Sequence, residues 1–335
     1  MRYAEGMNTR KYALMTLVAL AAVVAVGLRV KSHLNQRAVR IDLSPAASRP
    51  VVDLPTVRDY VIEPMVAPGE ENAGPRRIIS LAPSITELVC ALGMRDRLVG
   101  RTRHCTWPPD ISNVQTVGVL SESNYGLMKL LDPDLVLATR NSGDTLANLT
   151  RLGFRCEALP HEGLPELYSA IEKLGALCDR PKTARMLVTA IQADIERLQA
   201  AARASAHQPR RVLVLFGELP VPPQAVFVAG PGLFLDALVQ YAGHTNAARE
   251  LLQSSQGEIP LEVLRILDPE IILEFRDPVD SNAMADAYAA WSRVGDLQAI
   301  RLRRVRSVGG PEWLSAGPRI ALELRRFITV LSEFD

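Results

Sequence analysis

The protein has 335 residues, which at roughly 150 residues per domain corresponds to about two domains. Its apolar fraction of 48% and charged fraction of 22% are those of a folded chain with sizeable cores, so disorder is excluded as the overall class. With 38 Lys and Arg against 37 Asp and Glu, the net charge is +1, and this balance argues against a nucleic-acid-binding protein.

A charge-free apolar run, residues 12–28, follows two basic residues near the N-terminus. As a helix it spans roughly 25 Å, the lower limit for crossing a bilayer core. The basic flank and small residues also fit a cleavable signal peptide ending at Ala25-Val26-Gly27. The basic residues that follow favour an uncleaved anchor, so residues 1–31 are expected to be a membrane anchor or a signal peptide. Since no cysteine precedes Cys90, we expect no lipid-modified N-terminal cysteine.

A proline-rich stretch, residues 32–75, separates this run from the rest of the chain. Such a composition is typical of an extended tether. The alternative is an ordered extension that lies on the surface of the folded body. In either case the body after residue 75 is expected to be exported, on the periplasmic or extracellular face of the cytoplasmic membrane.

From residue 76 the pattern changes to short apolar runs that alternate with helical segments. Residues 78–81 predict a strand, and Ser84 is predicted to cap the following helix, with Glu87 three residues later completing a capping box. Strand–helix alternation continues to residue 181 and predicts a parallel sheet with helices on both faces. Residues 76–181 are therefore predicted to form an N-terminal lobe.

Residues 182–206 contain neither Gly nor Pro and have apolar residues at helical spacing. A helix of that length spans roughly 37 Å, which is too long for a crossover helix in a small sheet. We therefore predict that residues 182–207 form a rigid helix connecting two lobes.

The alternation restarts after this helix, so residues 208–335 are predicted to form a C-terminal lobe. Residues 131–137 and 267–273 carry related Leu-Asp-Pro phrases, each reading as a helix end, an Asp-Pro stop and a strand. This indicates two lobes of the same build. The predicted fold class is α/β, with two Rossmann-like lobes joined by one long helix.

Four phrases spread over the body carry a resemblance to a known family: residues 77–88, Leu98-Val99-Gly100 with Trp107-Pro108-Pro109, residues 131–137, and residues 315–320. In this order they resemble the cobalamin- and ferric-siderophore-binding proteins that serve ABC importers. The resemblance implies a ligand cleft between the lobes. It also implies a small-molecule ligand (cobalamin, a siderophore or another metal chelate) and an ABC permease as partner.

In that family, a carboxylate on each lobe docks against arginines of the permease. The resemblance assigns this role to Glu262 in the second lobe, although an acid in the first turn of a helix is also favoured by the helix dipole. The equivalent place in the first lobe holds Gly126. This departure weakens the transporter interpretation.

The resemblance also suggests which residues contact the ligand. Trp107 and Trp313 stand where the cobalamin binders place residues facing the cleft, although Trp107 is equally compatible with a lid over the core. Arg140 and Ser142 follow a strand at its carboxyl end, where open α/β sheets bind ligands, although Arg140 is equally compatible with a surface ion pair. Glu218 follows the first strand of the second lobe and is expected to accept a hydrogen bond from the ligand or to face solvent.

Enzymatic and metal-dependent functions find little support. The sequence shows no nucleophile elbow, no phosphate-binding Gly-Lys-Ser/Thr loop and no paired catalytic carboxylates, so no enzyme activity and no cofactor are predicted. His104, His161 and His244 lie on predicted loops without ligand spacing and are interpreted as scattered histidines rather than a metal site. The four cysteines are compatible either with a disulfide in an exported chain or with buried free thiols.

The sequence therefore predicts an extracytoplasmic solute-binding component of an ABC importer. Its partners are a small-molecule ligand, an ABC permease and the membrane through the N-terminal segment, with no nucleic acid. The alternative is a membrane-anchored sensor or scaffold that keeps the binding-protein fold without a permease. Gly126 favours this alternative, and Glu262 opposes it.

Overall fold

The structure, a computed structural model, describes residues 64–70, 74–204, 208–220, 224–276, 283–309 and 316–334, and of residues 283–286 it describes the backbone. The apolar run 12–28 and Trp313 lie outside the described residues. Among the helices of the described residues, none has the length and apolar character needed to cross a bilayer.

The first lobe is built on a four-stranded parallel sheet. Its elements are β1 Ile78–Ser80, α1 Pro83–Ala91, β2 Leu98–Arg101, β3 Gly118–Val119, β4 Glu122–Ser123, α2 Tyr125–Leu130, β5 Leu135–Thr139, α3 Gly143–Arg151, β6 Cys156–Leu159 and α4 Leu164–Leu177. The strand order in the sheet is β2-β1-β5-β6. The central strands β1 and β5 consist of short Ile-, Val- and Leu-rich runs that are buried on both faces, as expected for a parallel sheet covered by helices.

The connecting helix, α5, runs from Pro181 to Ala204. Its buried side chains Leu187, Ile191 and Ile195 recur at helical spacing and form one apolar stripe. This stripe packs against α4 of the first lobe and against helices of the second lobe. As a result, one continuous hydrophobic core extends from the first lobe through α5 into the second.

The second lobe contains a larger, mixed sheet. Its elements are β7 Arg211–Phe216, β8 Ala225–Ala229, α6 Phe234–Tyr241, β9 Thr245–Asn246, β10 Gln256–Pro260, α7 Leu261–Leu267, β11 Ile271–Arg276, α8 Ala283–Trp291, α9 Gln298–Arg301, β12 Val305–Gly309 and α10 Ile320–Ser332. The strand order is β10-β8-β7-β11-β12, and β9 also pairs with β7. The strands β7, β11 and β12 are parallel to one another, whereas β8 is antiparallel to both of its neighbours, β7 and β10.

The antiparallel strand β10 was not predicted. Its Gly and Pro are poor strand formers, and as an edge strand it buries only Ile259 completely, so it has no strong apolar pattern. Apart from such edge elements, the predicted α/β class with two lobes and one long helix is confirmed.

The two Leu-Asp-Pro phrases occupy equivalent places, as predicted. Asp132 and Asp268 both adopt a left-handed conformation, with φ of 44° and 41°, and each follows a short helix. Two residues further on, Asp134 and Glu270 each accept a backbone hydrogen bond from the start of the neighbouring strand, Asp134 from Arg77 and Glu270 from Arg211. The repeated phrase therefore encodes the same helix stop and the same strand alignment in both lobes.

The end of the proline-rich stretch packs on the first lobe. The amide of Ala67 donates to Thr183 Oγ1 at 2.8 Å, and Ala67 is fully buried. Glu70 accepts hydrogen bonds from the amides of Lys182 and Thr183 and from the Thr183 hydroxyl. Glu70 thus caps the first turn of the connecting helix from more than a hundred residues away, and residues 64–70 form an ordered extension on the body.

Candidate functional site

The two lobes contact each other through the loops that follow their strands. The amide of Phe234, at the start of α6, donates to the carbonyl of Glu162 in the loop after β6 at 3.0 Å. The neighbouring Gly163 lies so close to the second lobe that an added Cβ would be 2.6 Å from the carbonyl oxygen of Gly232. No side chain fits there without a shift, so glycine is required by the close approach of the two backbones.

A buried ion pair forms a second contact between the lobes. Arg319, directly before α10, donates from Nε and Nη2 to the two carboxylate oxygens of Glu87 on α1, at 2.9 and 2.5 Å. Both side chains are more than nine-tenths buried. Gly317 lies beside this interlobe ion pair, where an added Cβ would be 3.2 Å from Glu87 Oε2. Bidentate pairing and burial make this a strong, directional link between the lobes.

The predicted capping box at the start of α1 is wrong. The helix begins at Pro83 after Ala82, with no side-chain cap, and Ser84 is buried. Glu87 points to Arg319 because a salt bridge at the lobe interface satisfies both of its oxygens. The local sequence pattern has no means of revealing a partner 232 residues away.

Trp107 lies against the same ion pair. The guanidinium of Arg319 stacks on its indole, with 4.6 Å from Cζ to the ring centroid, which is cation–π geometry. The side chain is only 9% exposed, and among the described residues its Nε1 has no hydrogen-bond partner. One face of the indole is therefore occupied by the second lobe, and its N–H is buried without an acceptor among the described residues.

The loop that carries Trp107 is organised by Arg101 at the end of β2. This buried guanidinium donates to four backbone carbonyls of the loop, at 2.8–3.3 Å, those of Thr102, Cys105, Ile111 and Ser112. Its charge is thus satisfied inside the loop, and the loop is held in one conformation. Arg101 positions Trp107 indirectly, a role that sequence reasoning missed.

Arg140 and Ser142 follow β5 in one helical turn, at the carboxyl end of the sheet. Ser142 is buried, and its hydroxyl lies 3.0 Å from Thr139 Oγ1. Arg140 is exposed and forms no ion pair with any described residue. It therefore presents an available cation where open α/β sheets bind ligands.

His161 lies near Arg140, in the loop after β6. Burial lowers the pKa of His161 below its ordinary value, an effect that Glu162 opposes and Arg140 reinforces. The buried Nδ1 of its imidazole has no hydrogen-bond partner among the described residues. This placement was not predictable from the sequence, because the loop after a short strand has no diagnostic pattern.

Glu218 is 55% exposed and pairs with Arg276, the last residue of β11, at 3.2 Å. Arg276 also donates from Nε and Nη2 to the buried Glu274, at 3.0 and 2.5 Å. The other oxygen of Glu274 accepts from Trp291 Nε1 at 2.7 Å. The buried Glu274 thus fixes the guanidinium of Arg276 through two of its nitrogens, and the third nitrogen, Nη1, donates to the exposed carboxylate of Glu218.

Arg276 is a second residue that sequence reasoning missed, although a signal was present. Arg140 and Arg276 each lie nine residues after the leucine that opens their Leu-Asp-Pro phrase. They therefore occupy equivalent positions at the ends of equivalent strands, one in each lobe. Extending the alignment of the two Leu-Asp-Pro phrases to the ends of the strands that follow them would have identified Arg140 and Arg276 as an equivalent pair.

The remaining predicted residues lie apart from these contacts or outside the described chain. Glu262 and Gly126 are exposed on α7 and α2. Trp313 is not described, so its predicted place in the cleft stays a prediction. In the described part of the chain, no three His, Cys, Asp or Glu side chains are grouped as metal ligands. All four cysteines are free thiols rather than disulfide partners.

Known proteins resemble this chain over most of its described length. Residues 78–309 match a family model described as periplasmic binding protein. The chain is 28% identical over 253 residues to the ABC transporter substrate-binding lipoprotein YvrC of Bacillus subtilis, a match that covers 73% of this chain and 76% of that protein. It is 25% identical over 265 residues to the vitamin B12-binding protein of Pectobacterium atrosepticum, covering 77% and 89%. A periplasmic heme-binding protein from Pseudomonas aeruginosa has a similar structure, with a TM-score of 0.64 and 26% identity over 76% of this chain and 92% of that one.

Proposed function

The chain belongs to the periplasmic binding protein family, and we propose that it is the extracytoplasmic solute-binding component of an ABC importer that captures cobalamin, a ferric siderophore or a related metal chelate. The relatives named for vitamin B12 and heme binding support this ligand class. Capture, rather than catalysis, is the activity that members of the family have in common. The protein acts on the outer side of the cytoplasmic membrane, anchored or secreted.

The observation that carries the proposal is the pair of equivalent arginines at the ends of β5 and β11. Parallel sheets bind ligands beyond the carboxyl ends of their strands, and here each lobe places a guanidinium at that point. Arg140 has no ion-pair partner among the described residues, and Arg276 is held by the buried Glu274. Anionic oxygens of a chelate are the groups that such arginines bind best.

We propose that five residues form the ligand site, Trp107, Arg140, Ser142, Glu218 and Trp313. The indole N–H of Trp107 donates to a ligand acceptor, and Arg140 binds an anionic substituent. Ser142 supports the turn that carries Arg140. Glu218 either accepts a hydrogen bond from the ligand or releases Arg276 from their ion pair, so that Arg276 binds the ligand instead. Trp313 is included on its position in the sequence alone.

Ligand capture is expected to involve little closure of the lobes. The core continues through α5 from one lobe to the other, and the Glu87–Arg319 pair joins the lobes directly. Packed cores resist continuous deformation, so binding depends mainly on preformed contacts. Apolar burial then supplies affinity, while a few polar groups fix the orientation of the ligand.

The proposed arrangement of the chain follows from the same family role. Residues 1–31 direct the chain to the membrane as an anchor or signal peptide, and residues 32–75 lead to the body. The lobes are 76–181 and 208–335, with 182–207 as the connecting segment. Glu262 docks the second lobe to the permease. The absence of a carboxylate at Gly126 is the observation that favours the second candidate, a membrane-anchored sensor or scaffold without a permease.

Calorimetric titration of the body from residue 64 onward tests the ligand class. The probes are cyanocobalamin, hemin and a ferric hydroxamate or catecholate siderophore. We expect one probe to bind one-to-one, and Arg140→Ala to weaken that binding by about tenfold or more, since a charge-assisted hydrogen bond contributes roughly 1.5–3 kcal/mol. Arg151→Ala, on the exposed face of α3, is the matched control and should leave the affinity unchanged. If no probe binds, the proposed ligand class is wrong.

A further inference from the structure

The strand β11 changes from apolar to ionic along one of its faces. Side chains alternate between the two faces of a strand, so Ile272, Glu274 and Arg276 share one face. Ile272 packs there in an apolar cluster with Trp291 of α8. Glu274, opposite Ser307 of β12, is fully buried, and Arg276 ends the strand with only 14% of its side chain exposed. This face therefore ends in a nearly buried ion pair at the carboxyl end of the sheet.

Glu274 is held in place by donors on three elements. Trp291 Nε1 donates to Oε1 at 2.7 Å, and Ser307 Oγ donates to Oε2 at 3.0 Å. Oε2 also accepts from Nε and Nη2 of Arg276. A buried ion pair seldom stabilises a fold more than well-packed apolar side chains would. What this pair does achieve is placement, because it fixes the guanidinium of Arg276 through two of its three nitrogens.

The third nitrogen of Arg276 is occupied by an acid that is easily replaced. Nη1 donates to Oε2 of Glu218 at 3.2 Å, and the Glu218 side chain is 55% exposed. The amide of Gly217 donates to the carbonyl of Phe275 at 2.8 Å, which holds the end of β7 beside the end of β11. Exposed ion pairs contribute little free energy. A carboxylate from outside can therefore take the place of Glu218 on Nη1.

We infer that Glu218 is a resident carboxylate on Arg276, that a carboxylate of the bound chelate replaces it, and that Glu274 is the positioning residue for this exchange. The inference rests on the proposed function. Arg276 keeps its two bonds to Glu274 while Nη1 changes partner, so the guanidinium is already organised for the ligand. A chelate without a carboxylate at this end leaves Glu218 in place and gains no contact with Arg276.

The first lobe has no counterpart of this arrangement. Alignment of the Leu-Asp-Pro phrases pairs Arg140 with Arg276 and Ala138 with Glu274. Ala138 is buried and has no acceptor for a guanidinium, and Arg140 is paired with no acid of the described residues. Arg140 can thus follow a flexible substituent, whereas Arg276 binds a carboxylate only at the position that Glu274 fixes. The second lobe is therefore the one that selects the end group of the ligand.

A titration with acetate tests the exchange without a chelate. The full chain is solubilised in a mild detergent, its arginine side-chain N–H signals are followed by NMR, and sodium chloride at equal ionic strength is the reference. We expect acetate to shift the Arg276 signals, and Glu218→Gln to lower the half-saturating acetate concentration by about two- to fivefold, as when an exposed ion-pair partner is removed. Glu258→Gln, which replaces an exposed acid of β10, is the matched control and should leave that concentration unchanged. Arg276 signals that acetate does not shift in either protein would overturn the inference.

Glu274→Asp tests the positioning role. It keeps the charge but shortens the side chain by one methylene, so Arg276 loses its fixed contact while the net charge of the site stays the same. In the Glu218→Gln background it should raise the half-saturating acetate concentration by about threefold or more. Ser307→Ala removes one donor to Glu274 and should act in the same direction, which keeps the test open if Glu274→Asp does not fold. A lower melting temperature with unchanged acetate binding would show that Glu274 only stabilises the fold.

Two pairs of chelates extend the test to the proposed ligand class. Cyanocobalamin is compared with its monocarboxylic acid, and hemin dimethyl ester with hemin, by calorimetry on the full chain. Glu218→Gln should strengthen binding of the carboxylate-bearing member by about two- to fivefold and leave its partner unchanged. Equal effects on both members of a pair that binds would overturn the inference and leave the proposed function standing. If no chelate binds while acetate still exchanges at Arg276, the proposed function is wrong and the exchange stands.

Discussion

The contact between Glu87 and Arg319 shows how one residue pair connects the lobes and the candidate site. The two carboxylate oxygens are taken by one guanidinium, and the same guanidinium stacks on Trp107. A change at any of these three residues therefore affects both the lobe interface and the wall of the site. This differs from the role of an isolated surface pair, which contributes little to stability.

Replacement of Glu87 by Gln should lower the free energy of unfolding by about 3 kcal/mol, because it removes the charged partner of a buried guanidinium. The matched control is Asp110→Asn, which breaks the exposed Arg95–Asp110 pair and should change stability by less than about 1 kcal/mol. Urea denaturation at pH 7 measures both. Equal losses in the free energy of unfolding for the two substitutions would show that the buried interlobe pair stabilises the fold no more than an exposed pair does.

The four cysteines should differ in their reaction with thiol reagents. Burial raises the pKa of Cys90 and of Cys178 to about 12, so neither forms appreciable thiolate at neutral pH. Cys105 is fully buried, whereas Cys156 is partly exposed at the start of β6. A chromogenic disulfide reagent should thus modify Cys156 first, and all four only after unfolding. Fast labelling of two or more thiols in the native protein, located by peptide mapping, would contradict this order.

Among the secondary-structure elements, the connecting helix depends on a cap supplied from outside its own sequence. Burial acts to raise the pKa of Glu70, but hydrogen bonds from the backbone of Thr183 and Lys182 and from the Thr183 hydroxyl lower it below the ordinary value. A carboxylate whose pKa is lower in the folded state stabilises the fold above its unfolded pKa. That contribution is lost as the pH falls through the lower, folded pKa.

Glu70→Gln should therefore destabilise the body at pH 7, and the difference from wild type should shrink as the pH is lowered from about 5 towards 3. Urea unfolding of both proteins across this range measures the effect. A body that begins at Arg76 lacks the cap altogether and should be less stable than one that begins at Pro64. A difference between Glu70→Gln and wild type that grows towards acid pH would show that the carboxylate is not the stabilising form.

The helix α2 offers a test of whether its glycine has a structural role. Gly126 is exposed in the first turn, its φ is not positive, and an added Cβ meets only an ordinary contact. Gly126→Ala should thus raise the free energy of unfolding by roughly 0.5–1 kcal/mol, through the lower backbone entropy of the unfolded chain. Gly153, with φ of 89°, is the contrasting control, since alanine there is strained and should destabilise the protein. Destabilisation by Gly126→Ala would mean that the helix packs more tightly than described.

At the level of the whole molecule, the sequence predicted what depends on local pattern. The repeated Leu-Asp-Pro phrases gave the helix stops and strand starts of both lobes, and the unbroken run after residue 181 gave the connecting helix. Residue contacts across the lobes were not predictable in this way. The partner of Glu87 lies 232 residues away, and the role of Arg276 depends on Glu274, which reads in the sequence as an ordinary strand residue.

The candidate site was predicted in part for the same reason. Arg140 was found because it follows a strand, a place that is special in any parallel sheet. Trp107 was assigned to the cleft or to the core, and the structure places it between the two, against an arginine of the other lobe. Whether it contacts ligand stays a prediction. His161 was interpreted as a scattered loop histidine, because its half-buried position near Arg140 depends on how two loops meet.

Native mass spectrometry tests whether the body captures a single metal chelate, as proposed. The body from residue 64 onward is incubated with an equimolar mixture of cyanocobalamin, hemin and a ferric siderophore. We expect one dominant adduct with one chelate per chain, which Arg140→Ala strongly reduces. Ligand at about one hundred times its Kd should also stabilise the protein by roughly 2.7 kcal/mol. A spectrum that shows only the free chain, or several weak adducts that Arg140→Ala leaves unchanged, would show that the body does not capture such a chelate.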